Sequence, residues 1–188
     1  MMKISTELAE IGIPDEIIKR ASNIKFLIMD VDGVLTDGTI IFDSNGSEIK
    51  TFDVKDGHAI KILHMCGIMT ALITGRQSDI IKKRGGELGI TYIYQNASDK
   101  SMAYSEIKRL TSLNDNEIAC IGDDINDIPL LRRVGLAIAV RDSVYELRQI
   151  AHYVTKKRGG KGAVREVCEL ILKSQGKWQG VIDAYLQV

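Results

Sequence analysis

Four short clusters of reactive side chains are spaced along this chain, and each could handle a phosphoryl group. Asp30 and Asp32 stand two apart in Asp30-Val-Asp-Gly-Val34. One carboxylate can attack phosphorus, and a second can protonate the leaving oxygen and later activate water. Gly33 permits a sharp turn directly after them. Taken alone, the pair equally suits a strand ending in an Asx turn with solvated acids. Thr74-Gly75-Arg76 offers a hydroxyl, a close backbone approach and a charged fork for phosphate or carboxylate. Thr74 or Ser78 could also be an ordinary helix cap. Lys100 opens a predicted helix, where the dipole disfavours a cation unless an anion lies beside it; a solvated surface lysine is the plain alternative. Gly122-Asp-Asp-Ile-Asn-Asp127 crowds carboxylates together. A hard cation such as magnesium relieves that repulsion by taking oxygen ligands, whereas an acidic capping loop with Asp127 as N-cap needs no metal.

Positioning these groups requires a parallel sheet. Apolar runs at 25–30, 68–74, 91–94, 117–122 and 136–140 read as strands buried on both faces. Helical patterns lie between and after them, at 57–66, 78–88, 100–110, 127–134, 144–149 and 162–173. Strand–helix alternation predicts an α/β, Rossmann-like parallel sheet with helices on both faces. All four reactive clusters then fall at strand ends or helix starts on the carboxyl edge of one sheet, where such sheets place their sites. The first twenty residues read as an amphipathic helix joined through Pro14 to another helical turn. One segment breaks the alternation: β-rich runs flank Asn45-Gly46 within 39–52, which predicts a hairpin over about 38–54. The chain reads as one domain over 1–188, with a basic Gly-rich loop at 156–162 and an unassigned tail at about 174–188.

Composition narrows the function. Lys plus Arg and Asp plus Glu number 25 each, so no global field recruits nucleic acid or a membrane surface. No apolar run is long enough to span a bilayer, and the N-terminus lacks an apolar signal core. Cys66, Cys120 and Cys168 have no metal-type spacing and read as core thiols. These features predict a soluble, cytoplasmic protein.

Taken together and in order, the four clusters resemble the motifs of the haloacid dehalogenase superfamily of phosphohydrolases, and the resemblance covers about residues 24–140. It implies that Asp30 is the nucleophile and Asp32 the acid–base partner. It implies that Thr74 and Lys100 hold phosphoryl oxygens. Magnesium would be ligated by Asp30, Asp123 and the carbonyl of Asp32, with Asp127 supporting from behind and Asp124 a second candidate for that role. Roughly forty residues separate Asp32 from Thr74, and the hairpin and one helix use them. The chain therefore looks capless.

Within the superfamily, the sequence is most similar to phosphatases of an eight-carbon keto sugar acid phosphate. The similarity is carried by DVDGVLTDG (30–38), the Asn-Gly hairpin, FDVKDGHAIK (52–61), LITGRQS (72–78) and YVTKKRGGKGAVREVCE (153–169). It implies a homotetramer assembled through the hairpins, a C-terminal tail able to approach a neighbouring site, and a role in lipopolysaccharide precursor synthesis. Substrate contacts are implied for Asp53, Val54, Lys55, Asp56, Gly57 and Lys61, together with Asp32 and Lys100. Arg76 and Arg84 are eight apart on one predicted helix, close to two turns, so both can face a substrate carboxylate. Phosphatases for a nine-carbon sugar acid look alike but resemble TGE where this chain has Thr74-Gly75-Arg76. That activity is the second reading. A phospho-signalling receiver domain and a non-catalytic relative are more distant ones.

Overall fold

A computed structural model describes residues 8–10 and 12–187. The helix expected over the first residues therefore lies largely outside the described part. Helix α1 (Asp15–Ser22) follows the extended Pro14, opens on Asp15 and Glu16 and closes on Lys19 and Arg20, as the helix dipole favours.

The central strand is β1 (Phe26–Met29), whose four residues are all buried. The chain then forms a small antiparallel hairpin, β2 (Ile41–Phe42) and β3 (Glu48–Ile49). The expected hairpin is present, with Asn45-Gly46 in its turn. The Gly46 amide donates to the Asp43 carbonyl and the Asp43 amide to the Ser47 carbonyl, with Gly46 at φ +80°. That is a three-residue connection with glycine in the left-handed position. The Asp43 carboxylate accepts the amides of Asn45 and Ser47 and fixes it. The paired strands are shorter than the predicted span.

Helix α2 (Val54–Met65) leads to β4 (Met69–Ile73), α3 (Asp79–Leu88), β5 (Tyr92–Tyr94), α4 (Lys100–Thr111), β6 (Ile118–Gly122), α5 (Ile128–Leu131) and β7 (Leu136–Ala139). Then follow α6 (Tyr145–Ile150), β8 (Tyr153–Val154), α7 (Ala163–Ser174) and α8 (Trp178–Leu186). Strand β8 was not expected, and the unassigned tail is helical.

The six long-range strands are all parallel, in the order β5-β4-β1-β6-β7-β8. Successive residues of each strand alternate between two cores. Leu27, Met29, Leu72, Ile121 and Ile138 pack under α1, α2, α3 and α7. Phe26, Ile28, Ala71, Ile73, Cys120 and Ala137 pack under α4, α5 and α6. Cys120 and Cys168 are buried in these layers and all three cysteines are free thiols. No helix among the described residues is long and apolar enough to cross a membrane.

From β1 the chain moves outward to β4 and β5, then returns to the other flank at β6. The carboxyl ends of β1 and β6 therefore border the switch point, where open α/β sheets bind their ligands.

Candidate active site

Asp30 follows the last residue of β1, and its amide still donates to the Ile121 carbonyl of β6 at 3.1 Å. Its carboxylate therefore starts from the best-paired strand of the sheet. Lys100, the first residue of α4, reaches it from the neighbouring loop: Nζ lies 2.6 Å from Asp30 Oδ1 and 2.6 Å from Asp127 Oδ1. The lysine side chain is 1% exposed. The odd lysine at a helix start is thus a buried cation between two buried carboxylates. Burial pulls its pKa down, but Asp30 and Asp127 more than offset that and hold it charged. The helix itself is capped by Asp99, whose carboxylate accepts the Ser101 amide.

Asp123, just after β6, completes the cluster. Oxygens of Asp30, Asp123 and Asp127 lie within 4.8 Å of one another. Asp127 is braced on its other side by the Asp123 amide, which donates to Oδ2 at 3.0 Å. Gly33, at φ +95°, sits against the Asp123 carboxylate; a Cβ there would overlap it. The turn after Asp32 thus has to be glycine on both counts.

The electrostatics expose what the cluster lacks. Burial, reinforced by Asp30 and then Asp127, lifts the Asp123 carboxyl to about 8. Burial, then Asp127, lifts Asp30 to about 6 despite Lys100. Two buried acids, Asp30 and Asp127, and the partly buried Asp123 against one ammonium leave excess negative charge, and all the facing donors are carboxylate oxygens. That donor set fits a hard, oxygen-seeking divalent cation such as magnesium and no soft metal. Lys100 takes only Oδ1 of Asp30, which leaves Oδ2 to ligate beside Asp123, whereas both oxygens of Asp127 are held, by Lys100 and the Asp123 amide. Asp124 turns back to accept the Ile125 amide.

Thr74 directly follows β4, the parallel neighbour of β1. It is buried, and its Oγ1 accepts the Arg76 amide at 3.2 Å, so the hydroxyl keeps a hydrogen to give. Asp32 is half-exposed on the open side. Its Oδ1 is bonded by Lys50 Nζ, and its Oδ2 lies 3.9 Å from Arg76 Nε. Lys50 comes from the segment just after β3, and Glu48 from β3 itself. Glu48 accepts from Ser78 Oγ at 2.7 Å and from Arg76 Nη2 at 3.0 Å, and lies 3.3 Å from Lys50 Nζ. The hairpin therefore folds back onto the site of its own chain. Sequence reasoning missed Lys50 and Glu48. Their spacing of two, which puts both on one face of a strand, was the signal available.

The structure thus brings Asp30, Asp32, Thr74, Arg76, Lys100 and Asp123 together. The remaining implied substrate residues have other partners. Asp53 caps α2 through the amides of Lys55 and Asp56. Asp56 is buried and accepts the amides of Arg165 at 2.7 Å and Gly162 at 3.2 Å, so its carboxylate caps α7 instead of facing the acid cluster. Gly57 lies against the Arg84 guanidinium, which stacks over Phe52 at 5.6 Å and pairs with Glu87. Val54, Lys55 and Lys61 are exposed on α2. Arg76 and Arg84 do not share a face as expected, because α3 begins only at Asp79 and Arg76 lies in the loop before it.

A buried lysine among three carboxylates at the carboxyl edge of a parallel sheet, with Thr74 just past the neighbouring strand, is the arrangement of a haloacid dehalogenase-like hydrolase. The family model of that description matches residues 86–167. The 3-deoxy-D-manno-octulosonate 8-phosphate phosphatase of Yersinia pestis is 46% identical over 89% of this chain and 90% of its own length. That of Escherichia coli K12 is 44% identical over 86% of each. The crystal structure of the Moraxella catarrhalis phosphatase, in complex with magnesium ion, phosphate ion and a KDO molecule, superposes with a TM-score of 0.89. It is 42% identical and covers 91% of this chain and 98% of its own. The chain belongs to this family of 3-deoxy-D-manno-octulosonate 8-phosphate phosphatases.

Proposed function

We propose that this chain is a magnesium-dependent phosphomonoesterase that converts 3-deoxy-D-manno-octulosonate 8-phosphate and water into the free sugar acid and inorganic phosphate. The observation that carries the reading is Lys100, 2.6 Å from both Asp30 and Asp127, next to Asp123. Lys100 keeps Asp30 ionised and aimed, and with Thr74 it holds the phosphoryl oxygens. Asp30 attacks phosphorus, and the bond from phosphorus to the sugar oxygen breaks. Asp32 gives that oxygen its proton and becomes a carboxylate. It then takes a proton from the water that attacks the aspartyl-phosphate, which releases phosphate and restores Asp30. Magnesium, held by the carboxylates of Asp30 and Asp123 and the carbonyl of Asp32, neutralises phosphoryl charge when bound.

Arg76 supports a carboxylate-bearing substrate. Its guanidinium lies at the mouth of the site, where Nη2 bonds Glu48, a carboxylate that a substrate carboxylate can replace. The same residue favours the eight-carbon over the nine-carbon sugar acid. The exposed apolar side chains of Ile40, Ile41, Phe42 and Ile49 on the hairpin support assembly through it, to a homotetramer. A cytoplasmic enzyme that supplies a lipopolysaccharide sugar fits these features.

Phosphate release from a panel of sugar phosphates, with magnesium and with chelator, tests the reading. The eight-carbon substrate should be preferred, chelator should abolish turnover, and Asp30→Asn should lose about 10⁴-fold or more in kcat. Wild-type turnover by Asp30→Asn would remove Asp30 from the nucleophile's role.

A further inference from the structure

The Lys50 ammonium is a deeply buried charge of the site that takes no part in the mechanism above. Its side chain is 2% exposed although it comes from a surface hairpin, and its ammonium bonds Asp32 Oδ1. A lysine stem is flexible and would ordinarily snorkel into water. Here it is held by a frame. Glu48 lies 3.3 Å from the ammonium, and Glu48 is in turn fixed by Ser78 Oγ at 2.7 Å and Arg76 at 3.0 Å. Ser78 is pinned as well, its amide donating to Gln95 Oε1 at 2.6 Å. The frame therefore runs from the loops after β4 and β5, through the hairpin, to one oxygen of Asp32.

We propose that Lys50 is a positioning residue for proton delivery: it grips Oδ1 of Asp32 so that Oδ2 faces the leaving oxygen of the substrate. The proposal rests on the phosphatase reading. Asp32 follows the strand end and precedes a glycine, so its own backbone does not fix its side chain. A proton donor misplaced by an ångström loses much of its effect. Only one Asp32 oxygen can be the donor in a given turnover, and the Lys50 bond decides which. The step balances within the known reaction: the proton on Oδ2 passes to the leaving oxygen as its bond to phosphorus breaks, and Asp32 is left as a carboxylate paired with the Lys50 ammonium.

A graded series of aryl phosphates tests this, because good leaving groups need no proton and poor ones do. The readout is the slope of log kcat/KM against leaving-group acidity. It reports steps only up to departure of the leaving group and so excludes the later hydrolysis. Wild type should give a shallow slope. Lys50→Met should steepen it towards that of Asp32→Asn, with the loss at the poorest leaving group about tenfold or more greater than at the best. Lys50→Arg, which can still donate to Oδ1, should restore most of the shallow slope. Lys50→Gln, which keeps a donor without the charge, guards against a poorly folded Lys50→Met and should fall between. A Lys50→Met or Lys50→Gln slope parallel to wild type, whatever the absolute rate, overturns the proposal. Asp30→Asn is run across the same series: turnover there removes the underlying phosphatase reading, while its inactivity beside parallel slopes removes only the role of Lys50.

Discussion

Asp30 and Asp32 are separated by a single residue, yet they stand in two differently built regions. Asp30 belongs to a buried block: Lys100 and Asp127 are almost wholly buried, and each group projects from the end of a strand or the start of a helix in the central sheet. Asp32 belongs to a frame nearer the surface, in which Asp32, Glu48 and Arg76 keep access to water while the Lys50 ammonium is buried, and Lys50 and Glu48 are lent by a hairpin of two-residue strands. The buried block needs precise charge balance, since low local dielectric makes each unpaired charge costly. The hairpin frame gives geometry at lower energetic stakes, because water still reaches most of its members. On the proposed mechanism the labour is divided: phosphoryl charge falls to the dry, buried block, and the leaving group to the frame nearer water.

The largest break in that comparison should come from Lys100→Met. It leaves Asp30 and Asp127 facing each other without their cation. In chelator, urea unfolding should show a loss of about 3–5 kcal/mol, the typical cost of breaking a buried pair by removing one partner. A loss below about 1 kcal/mol would mean that the block is no more demanding than the frame, and the distinction would fall.

Magnesium should sharpen it. Asp123 is lifted to about 8 and Asp30 to about 6 by burial first and by their neighbours second. Both lie above the unfolded value of about 3.9. The folded, metal-free chain therefore binds the extra protons, and its stability falls as pH rises from about 4 to about 8. Bound magnesium takes the place of those protons. Thermal melts should show a larger magnesium-induced gain at pH 8 than at pH 6. At a hundredfold excess over Kd the gain is about 2.7 kcal/mol. An equal gain at both pH values would mean that the cation does not relieve these carboxylates.

How legible the two regions are in sequence follows the same division. The strands of the block announce themselves as continuous apolar runs because both faces are covered, and the reactive residues stand where those runs stop. Asp30, Thr74, Lys100 and Asp123 were readable for that reason. Strand β8 was not: Tyr153 and Val154 are two residues at a sheet edge and carry no periodicity. Lys50 and Glu48 were not, since a hairpin reads as a surface element until the chain is folded and its inward face can be seen. Asp56 shows the converse. It lies within a stretch whose resemblance implied substrate contact, but its carboxylate is consumed by capping a helix more than a hundred residues downstream. Spacing shows which groups share a face; it does not reveal what that face meets.

Glu48→Gln should have the smallest effect and is the finest probe of the frame. Glutamine keeps the shape and one acceptor oxygen, so Ser78 or Arg76 still finds a partner, but the charge that holds Arg76 and Lys50 is gone. The Ser78 hydroxyl first, then Arg76 and Lys50, hold the Glu48 carboxyl below its ordinary range. Its contribution is therefore present above the unfolded value of about 4.3 and fades as pH falls through the lower folded one. At pH 7 the global stability should drop by less than about 1 kcal/mol, as for a partly exposed ion pair. The loss should be local. Amide exchange at 41–49 should quicken by up to about fivefold while β1 and β6 keep their protection, because only the hairpin opens more often. Uniform quickening through β1 and β6 would mean that the hairpin and the buried block unfold as one unit. The frame would then be no more adjustable than the strands it leans on.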